Sequence, residues 1–259
     1  MKHFKPICIF LLLSFSAYAA DPVKPLMISV KGSTFSMGEY RPHDTTVRPF
    51  LISQTEVTQE LYMAVMNENP SFFKGRDLPV DSVSWFDAVR FCNTLSIRFG
   101  LAPAYIIDGE KVTWNRESMG YRLPTEAEWE FAARGGQFGE RGPQEKTAFA
   151  GCFEGAVPQD YCWFSLNAKT GTQSVKGKLP NQLGLFDMSG NVWEWCWDWY
   201  SDYPSGAVYD YTGPAEGKQR VYRGGSYMNS VNQLRTISRD WAPPSLKART
   251  VGFRIAQNG

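Results

Sequence analysis

The chain is 259 residues long, carries 27 Lys and Arg against 26 Asp and Glu, and is 15% aromatic. A formal net charge of +1 supplies no field that would draw nucleic acid. The length admits one large domain or two small ones, and the aromatic content is ample for a core in either case.

At the N-terminus Lys2 and Lys5 precede an apolar run over residues 7–15 and a small-residue exit, Ala17-Tyr18-Ala19. This is the pattern of a secretory signal peptide over residues 1–19. The run is too short to span a bilayer, and Cys8 lies inside it instead of at its end, which argues against a lipid-modified cysteine. No second long apolar stretch follows. The expectation is a mature chain starting at Ala20 or Asp21, periplasmic or secreted, with no membrane span. Loss of Lys2 and Lys5 takes the formal charge from +1 to −1. No Ser/Gly or Pro-rich spacer, charge block or repeat divides residues 20–259, so they are read as one domain.

Three helices are predicted in chain order. Leu61, Ala64 and Val65 form one apolar stripe over residues 58–67, which Asn69-Pro70 stops. Over residues 84–99 the stripe is Trp85, Ala88, Val89, Cys92, Leu95 and Phe99; Ser84 with Asp87 resembles a capping box, and Gly100 supplies the stop. Over residues 125–134 Thr125 and Glu128 repeat the box, and Gly135-Gly136 follow. Arg122, Glu126, Glu128, Glu130 and Arg134 read as a solvated helix face whose ion pairs are worth little each. Strands are predicted over residues 27–30, 50–52, 192–199, 220–223 and 251–255. Trp193, Trp195, Trp197 and Trp199 recur at period two, so an extended chain sets all four on one side. With 23 Gly and 16 Pro as punctuation, the connections are long and irregular, which argues against a regular sandwich or doubly wound sheet.

Beyond the leader there are four cysteines, Cys92, Cys152, Cys162 and Cys196. In an oxidising compartment they permit two bridges and three connectivities. Cys152 and Cys162 bracket a short loop and are the first choice. Cys92 on a helix face and Cys196 in a strand are either a second bridge or two buried thiols.

Four blocks carry a resemblance to a known family. They are Glu56-Val57-Thr58, the run Gly120-Tyr121-Arg122-Leu123-Pro124-Thr125-Glu126-Ala127-Glu128-Trp129-Glu130, the run Gly184-Leu185-Phe186-Asp187-Met188-Ser189-Gly190-Asn191-Val192-Trp193-Glu194-Trp195, and Arg223-Gly224-Gly225-Ser226 with Val251-Gly252-Phe253-Arg254. In this order they resemble the formylglycine-generating, or sulfatase-modifying factor, family. The resemblance implies a single α+β domain related to C-type lectins, with a small twisted sheet, few short helices and much ordered loop. It also implies a structural calcium ion held by Asp187, Gly190, Val192 and Glu194 through two side chains and two carbonyls, a donor set of hard oxygens suited to Ca2+. Otherwise Asp187 caps a turn and Glu194 is solvated on a strand.

The same resemblance places Trp193 at the wall of a substrate cleft and Ser226 on its floor beside Asn229. Arg235, Arg239, Asp240 and Trp241 follow on a loop expected to rim it, stiffened by Pro243-Pro244. In family oxidases Asn229 and Leu234 would both be cysteines, and soft thiolates hold Cu(I) where an amide oxygen or an aliphatic carbon does not. No copper is therefore expected. An iron site of three histidines fails on ligand count, since His43 alone remains beyond the leader, and a Ser/His/Asp hydrolase lacks a nucleophile elbow. The reading favoured is an exported module that binds a peptide, a protein or a small ligand. The alternative is an oxidase or maturation enzyme of the family acting on an exported peptide by a cysteine-independent mechanism.

Overall fold

The computed structural model describes residues 24–38, 41–139, 148–152 and 157–259; the expected leader and its cleavage point lie outside them. Local chemistry starts each helix where the sequence predicts it. Thr58 Oγ1 accepts the Leu61 N–H at 3.2 Å to open α1 (Gln59–Met66), and Asn67, at φ 59°, ends it. The Ser84/Asp87 box opens α2 (Trp85–Arg98), with reciprocal bonds of 3.1 and 2.9 Å. Thr125 and Glu128 do the same for α3 (Glu126–Ala133), again at 3.1 and 2.9 Å. Satisfying two orphan N–H groups per box is what makes such short helices start sharply.

The strands form small sheets. β1 (Met27–Val30) and β12 (Ala256–Asn258) flank β4 (Phe50–Ser53), so the two ends of the described chain meet in one antiparallel sheet. β2 (Ser33–Met37) and β3 (His43–Val47) make a hairpin extended by β8 (Val208–Tyr209), and β5 (Tyr105–Asp108) pairs with β6 (Lys111–Trp114). The central sheet has the order β10-β9-β7-β11, from β7 (Trp193–Trp199), β9 (Arg220–Arg223), β10 (Arg239–Ala242) and β11 (Val251–Gly252). The strand expected over residues 251–255 is therefore broken after Gly252. Beyond it the chain leaves β7 and gives its carbonyls elsewhere, Phe253 to the Val57 N–H at 2.9 Å and Ile255 to the Ser53 N–H at 2.8 Å. Among the described residues, three α-helices and many short strands make this an α+β fold. Among the described residues no helix is long and apolar enough to cross a membrane.

β7 separates two apolar clusters. Trp195, Trp197 and Trp199 face the start of α2: Trp195 donates to the Val83 carbonyl at 3.0 Å, Trp85 donates to the Cys196 carbonyl at 2.9 Å and packs against Trp197 and Trp199, and Trp197 stacks on Tyr105 with ring centroids 5.1 Å apart. Glu194, Cys196 and Asp198 point the other way, toward α3, where Trp129 Nε1 donates to Glu194 at 2.6 Å and Asp198 accepts the Glu126 N–H at 2.8 Å. The Arg220 guanidinium lies 3.4 Å from the Trp199 ring centroid and 3.8 Å from that of Trp85, a buried cation held by aromatic faces.

The charged face expected on α3 is not solvated. Arg122, Glu126, Glu128, Glu130 and Arg134 are all buried. Arg122 forks onto Glu128 with two bonds of 2.7 Å. Arg223, from β9, bridges Glu126 and Glu130 at 2.6 Å each, and Arg239, from β10, reaches Glu126 at 2.7 Å. The correction has a simple cause: beside the local Arg122 and Arg134, Arg223 and Arg239 arrive from strands far along the chain, and a local reading of the helix sees neither them nor the burial they allow.

The expected Cys152–Cys162 bridge is also corrected, since Cys92, Cys152, Cys162 and Cys196 are all held as buried thiols. Burial pushes the Cys162 thiol up to about 12.

Replacing Arg223 by Met leaves Glu126 with Arg239 alone and Glu130 with Arg134 alone, each short of a buried partner. Breaking a buried pair in this way costs about 3–5 kcal/mol, and urea denaturation of the variant should show a loss of that order. Burial would raise Glu130, yet Arg223 and Arg134 hold it below its ordinary value. Its contribution is thus present above the unfolded carboxylate value and lost as pH falls through the folded one.

Asp198 behaves oppositely, because burial and then the Glu126 charge push its carboxyl up to about 8. Between an unfolded value of about 4 and that of the fold, the native state binds the extra proton, so this group makes stability fall as pH rises. Asp198→Asn should match the parent near pH 4 and exceed it increasingly toward pH 8; a constant difference across that range would contradict the assignment.

Candidate functional site

A cleft of about 540 Å³ opens beside the start of β10. Trp193, Tyr203, Arg235, Arg239 and Asp240 line it, with Asn232 and Gln233 contributed by the short turn Val231–Leu234. The aromatic walls are fixed from behind. Trp193 meets Tyr222 edge-on at 5.1 Å and donates its backbone N–H to the Thr250 carbonyl at 2.8 Å. Tyr203 donates to Glu126 at 3.1 Å and packs against His43 at 5.0 Å. Arg239 is anchored by Glu126 and by the Ser201 carbonyl at 2.9 Å, with its guanidinium over Tyr203 at 4.2 Å. Walls locked in this manner give a preformed pocket in which a ligand meets fixed geometry.

Of the residues singled out in the sequence, Trp193, Arg235, Arg239 and Asp240 meet at the cleft. Ser226 and Asn229, expected on the floor, are not among its lining residues; Ser226 is buried, and its N–H and hydroxyl both go to Asn229 Oδ1, at 2.9 and 2.7 Å. Trp241 sits outside the lining, stacked on Tyr200 with centroids 3.7 Å apart. The expected rim loop is corrected at residues 239–242, which form the edge strand β10. Leu234 is wholly buried with Cys162 and Phe164. Gly225, at φ 76°, lets the chain pass it, since a Cβ there would stand 2.4 Å from Leu234 Cδ2.

A second constellation lies at the turn before β7. Asp187 and Asn191 adopt φ 59° and 58°, and Gly190 packs so close that a Cβ would meet the Trp163 carbonyl oxygen at 2.1 Å. Asp187 Oδ2 accepts the Lys176 N–H at 2.9 Å, whereas Oδ1 is buried with no hydrogen-bond partner. Glu194 is not solvated: Arg254 forks onto it at 2.6 and 2.7 Å, and Trp129 donates to it as well.

Glu56, which the sequence reading used only to place a helix, joins them by accepting from the Asn191 side chain at 2.8 Å and from the Val192 N–H at 3.1 Å. Its signal was its place in the Glu56-Val57-Thr58 block. Burial first, then the charges of Asp187 and Glu194, push Glu56 well up, and burial pushes Asp187 up to about 6. Three buried carboxyl groups thus face one buried guanidinium, and the interior favours protonation of Glu56 over an unscreened negative excess. Among the described residues no three His, Cys, Asp or Glu side chains converge as a metal centre by themselves. An ion there would need backbone oxygens too, and an unpartnered carboxylate oxygen beside a tight turn suits a hard divalent cation.

Comparison with known proteins places the chain. Residues 15–259 match the family described as sulfatase-modifying factor enzyme 1-like domain. The chain is 38% identical over 232 residues to the chaperone protein LppX of Paenibacillus barcinonensis, covering 80% of each. It is 37% identical over 163 residues to the formylglycine-generating enzyme of Streptomyces coelicolor, which is 57% of this chain but about half, 51%, of that enzyme. The solved structure of Treponema denticola variable protein 1 superposes with a TM-score of 0.82 at 35% identity, over 90% of this chain and 95% of that one. With the family match spanning nearly its whole length, the chain belongs to the sulfatase-modifying factor family.

Proposed function

We propose that this protein is an exported binding module of the family that does not carry out copper oxidation, and that its ligand, a peptide, a protein or a small molecule, occupies the cleft against Trp193. One observation carries the reading. The two positions where the family resemblance calls for cysteines have other uses here: Leu234 fills an apolar cluster and Asn229 caps Ser226. Neither offers sulfur to a soft metal. The chaperone name of the Paenibacillus relative supports a protein-binding role.

The test is direct. The purified protein, a sulfatase-type cysteine peptide, copper and oxygen are incubated together and the peptide is analysed by mass. It should remain unconverted, and the protein should retain no stoichiometric Cu(I) after dialysis; aldehyde in the peptide would overturn the reading.

Structural calcium belongs to the same proposal. Asp187 and Glu194 side chains with the Gly190 and Val192 carbonyls would hold the ion, and Glu56 adds a further carboxylate beside them. Bound there, calcium supplies charge neutralisation and no reaction. A ligand at a hundredfold over its dissociation constant stabilises a fold by about 2.7 kcal/mol. Asp187→Ala should therefore lower the melting temperature much more in calcium than in chelator, and equal losses in both would remove calcium from the account.

A further inference from the structure

The central sheet ends at β10, and no strand among the described residues pairs with its outer edge. The beginning of that strand, Arg239 and Asp240, is also a wall of the cleft. The Trp241 N–H does not go to a neighbouring strand. It donates to Asp240 Oδ1 at 2.8 Å, and the same carboxylate accepts from the Tyr222 hydroxyl. A carboxylate oxygen at that distance from a strand N–H stands where the carbonyl of an added strand would stand.

The side chains alternate about this edge as a strand requires. Arg239 and Trp241 lie on one face, both over Tyr200, while Asp240 lies on the other against Tyr222. Trp241 is 37% exposed, and its stacking on Tyr200 makes a flat, preformed aromatic platform.

We propose that the occupant of the cleft is an extended peptide that adds a strand to the outer edge of β10. A peptide carbonyl replaces Asp240 at the Trp241 N–H, one side chain enters the cleft toward Trp193, and a neighbouring one lies on the Trp241 platform. The inference rests on the cleft reading above and adds its mode of recognition. A row of strand N–H and C=O groups is matched along its length only by another extended backbone, with alternate side chains read by separate surfaces. Asp240 is then a resident cap that keeps the edge from pairing indiscriminately while it is empty.

Octapeptides selected from a random displayed library on the full chain provide the probe. The tightest is resynthesised with each backbone nitrogen methylated in turn. Edge pairing expects losses of about tenfold at alternate positions and little between them, because only every second N–H faces the protein. Trp241→Pro, which removes the outward N–H, should weaken binding at least about tenfold beyond Trp241→Ala, which loses the ring but keeps the N–H. Asp240→Ala should tighten binding about threefold, and Asp240→Asn, which keeps the capping oxygen, should not.

A methylation scan without a two-residue period overturns the proposal, and it needs no protein variant to fold. If such a peptide still loses affinity with Trp193→Ala, the cleft reading stands and edge pairing alone falls. If it is indifferent to Trp193→Ala as well, both fall. Failure to select any peptide overturns the proposal too.

Discussion

The fork of Arg223 onto Glu126 and Glu130 is the interaction on which the architecture turns. It adds charge to the apolar contact between the central sheet and α3, and a third bond, to the Thr236 carbonyl at 2.7 Å, fixes the chain that leads into β10. Glu126 is shared with Arg239 and Tyr203, two residues of the cleft wall. The wall is therefore set by an interior ion network. Buried ion pairs add little net stability against apolar substitutes, but their geometry tolerates few alternatives. A network at this place serves registry: β9, β10 and α3 meet in one arrangement or leave charges stranded.

β7 carries the consequences to the other side of the molecule. One seven-residue strand presents aromatic rings to α2 and carboxyl groups to α3. The carboxyl side is not uniformly neutralised. Glu194 has Arg254, whereas Asp198 has a peptide N–H and a more distant Arg220, whose own charge is pushed down to about 9 by burial among the tryptophans. That contrast gives the strand a carboxylate forked by arginine beside the Asp187 turn and, at Asp198, a carboxyl group that burial makes hold its proton.

Much of this was legible in the sequence, for identifiable reasons. Capping boxes are local chemistry, and both expected ones formed around the same residues. The period-two tryptophans announced a strand with one aromatic face, which packing preserved. Asp108-Gly109 between Tyr105-Ile106-Ile107 and Val112-Thr113-Trp114 was a hairpin signal that went unused, and β5–β6 is that hairpin. The β2–β3 hairpin was harder, because Ser, Thr, His and Asp fill it and its apolar alternation is weak. The buried charges were not legible at all. Glu126 and Arg223 stand 97 residues apart, and only folding turns a helix of surface composition into an interior one. Glu56 failed for the same reason, its partners Asn191 and Val192 being 135 and 136 residues away.

The surroundings of Leu234 bear on the chemistry the site could support. Its apolar cluster includes Cys162, whose thiol burial drives up to about 12. A cysteine placed at 234 would enter that same medium and, without metal, would be protonated at neutral pH, a poor soft ligand and a poor nucleophile. On the proposed reading, giving this scaffold a copper-binding thiol pair thus asks for more than two substitutions. The cluster beneath the Ser226 turn would have to open to water or to cation charge, at the loss of about 1.5–3 kcal/mol for the apolar burial of one leucine. Family membership fixes the scaffold, and the environment of a few side chains decides whether thiol chemistry can operate on it.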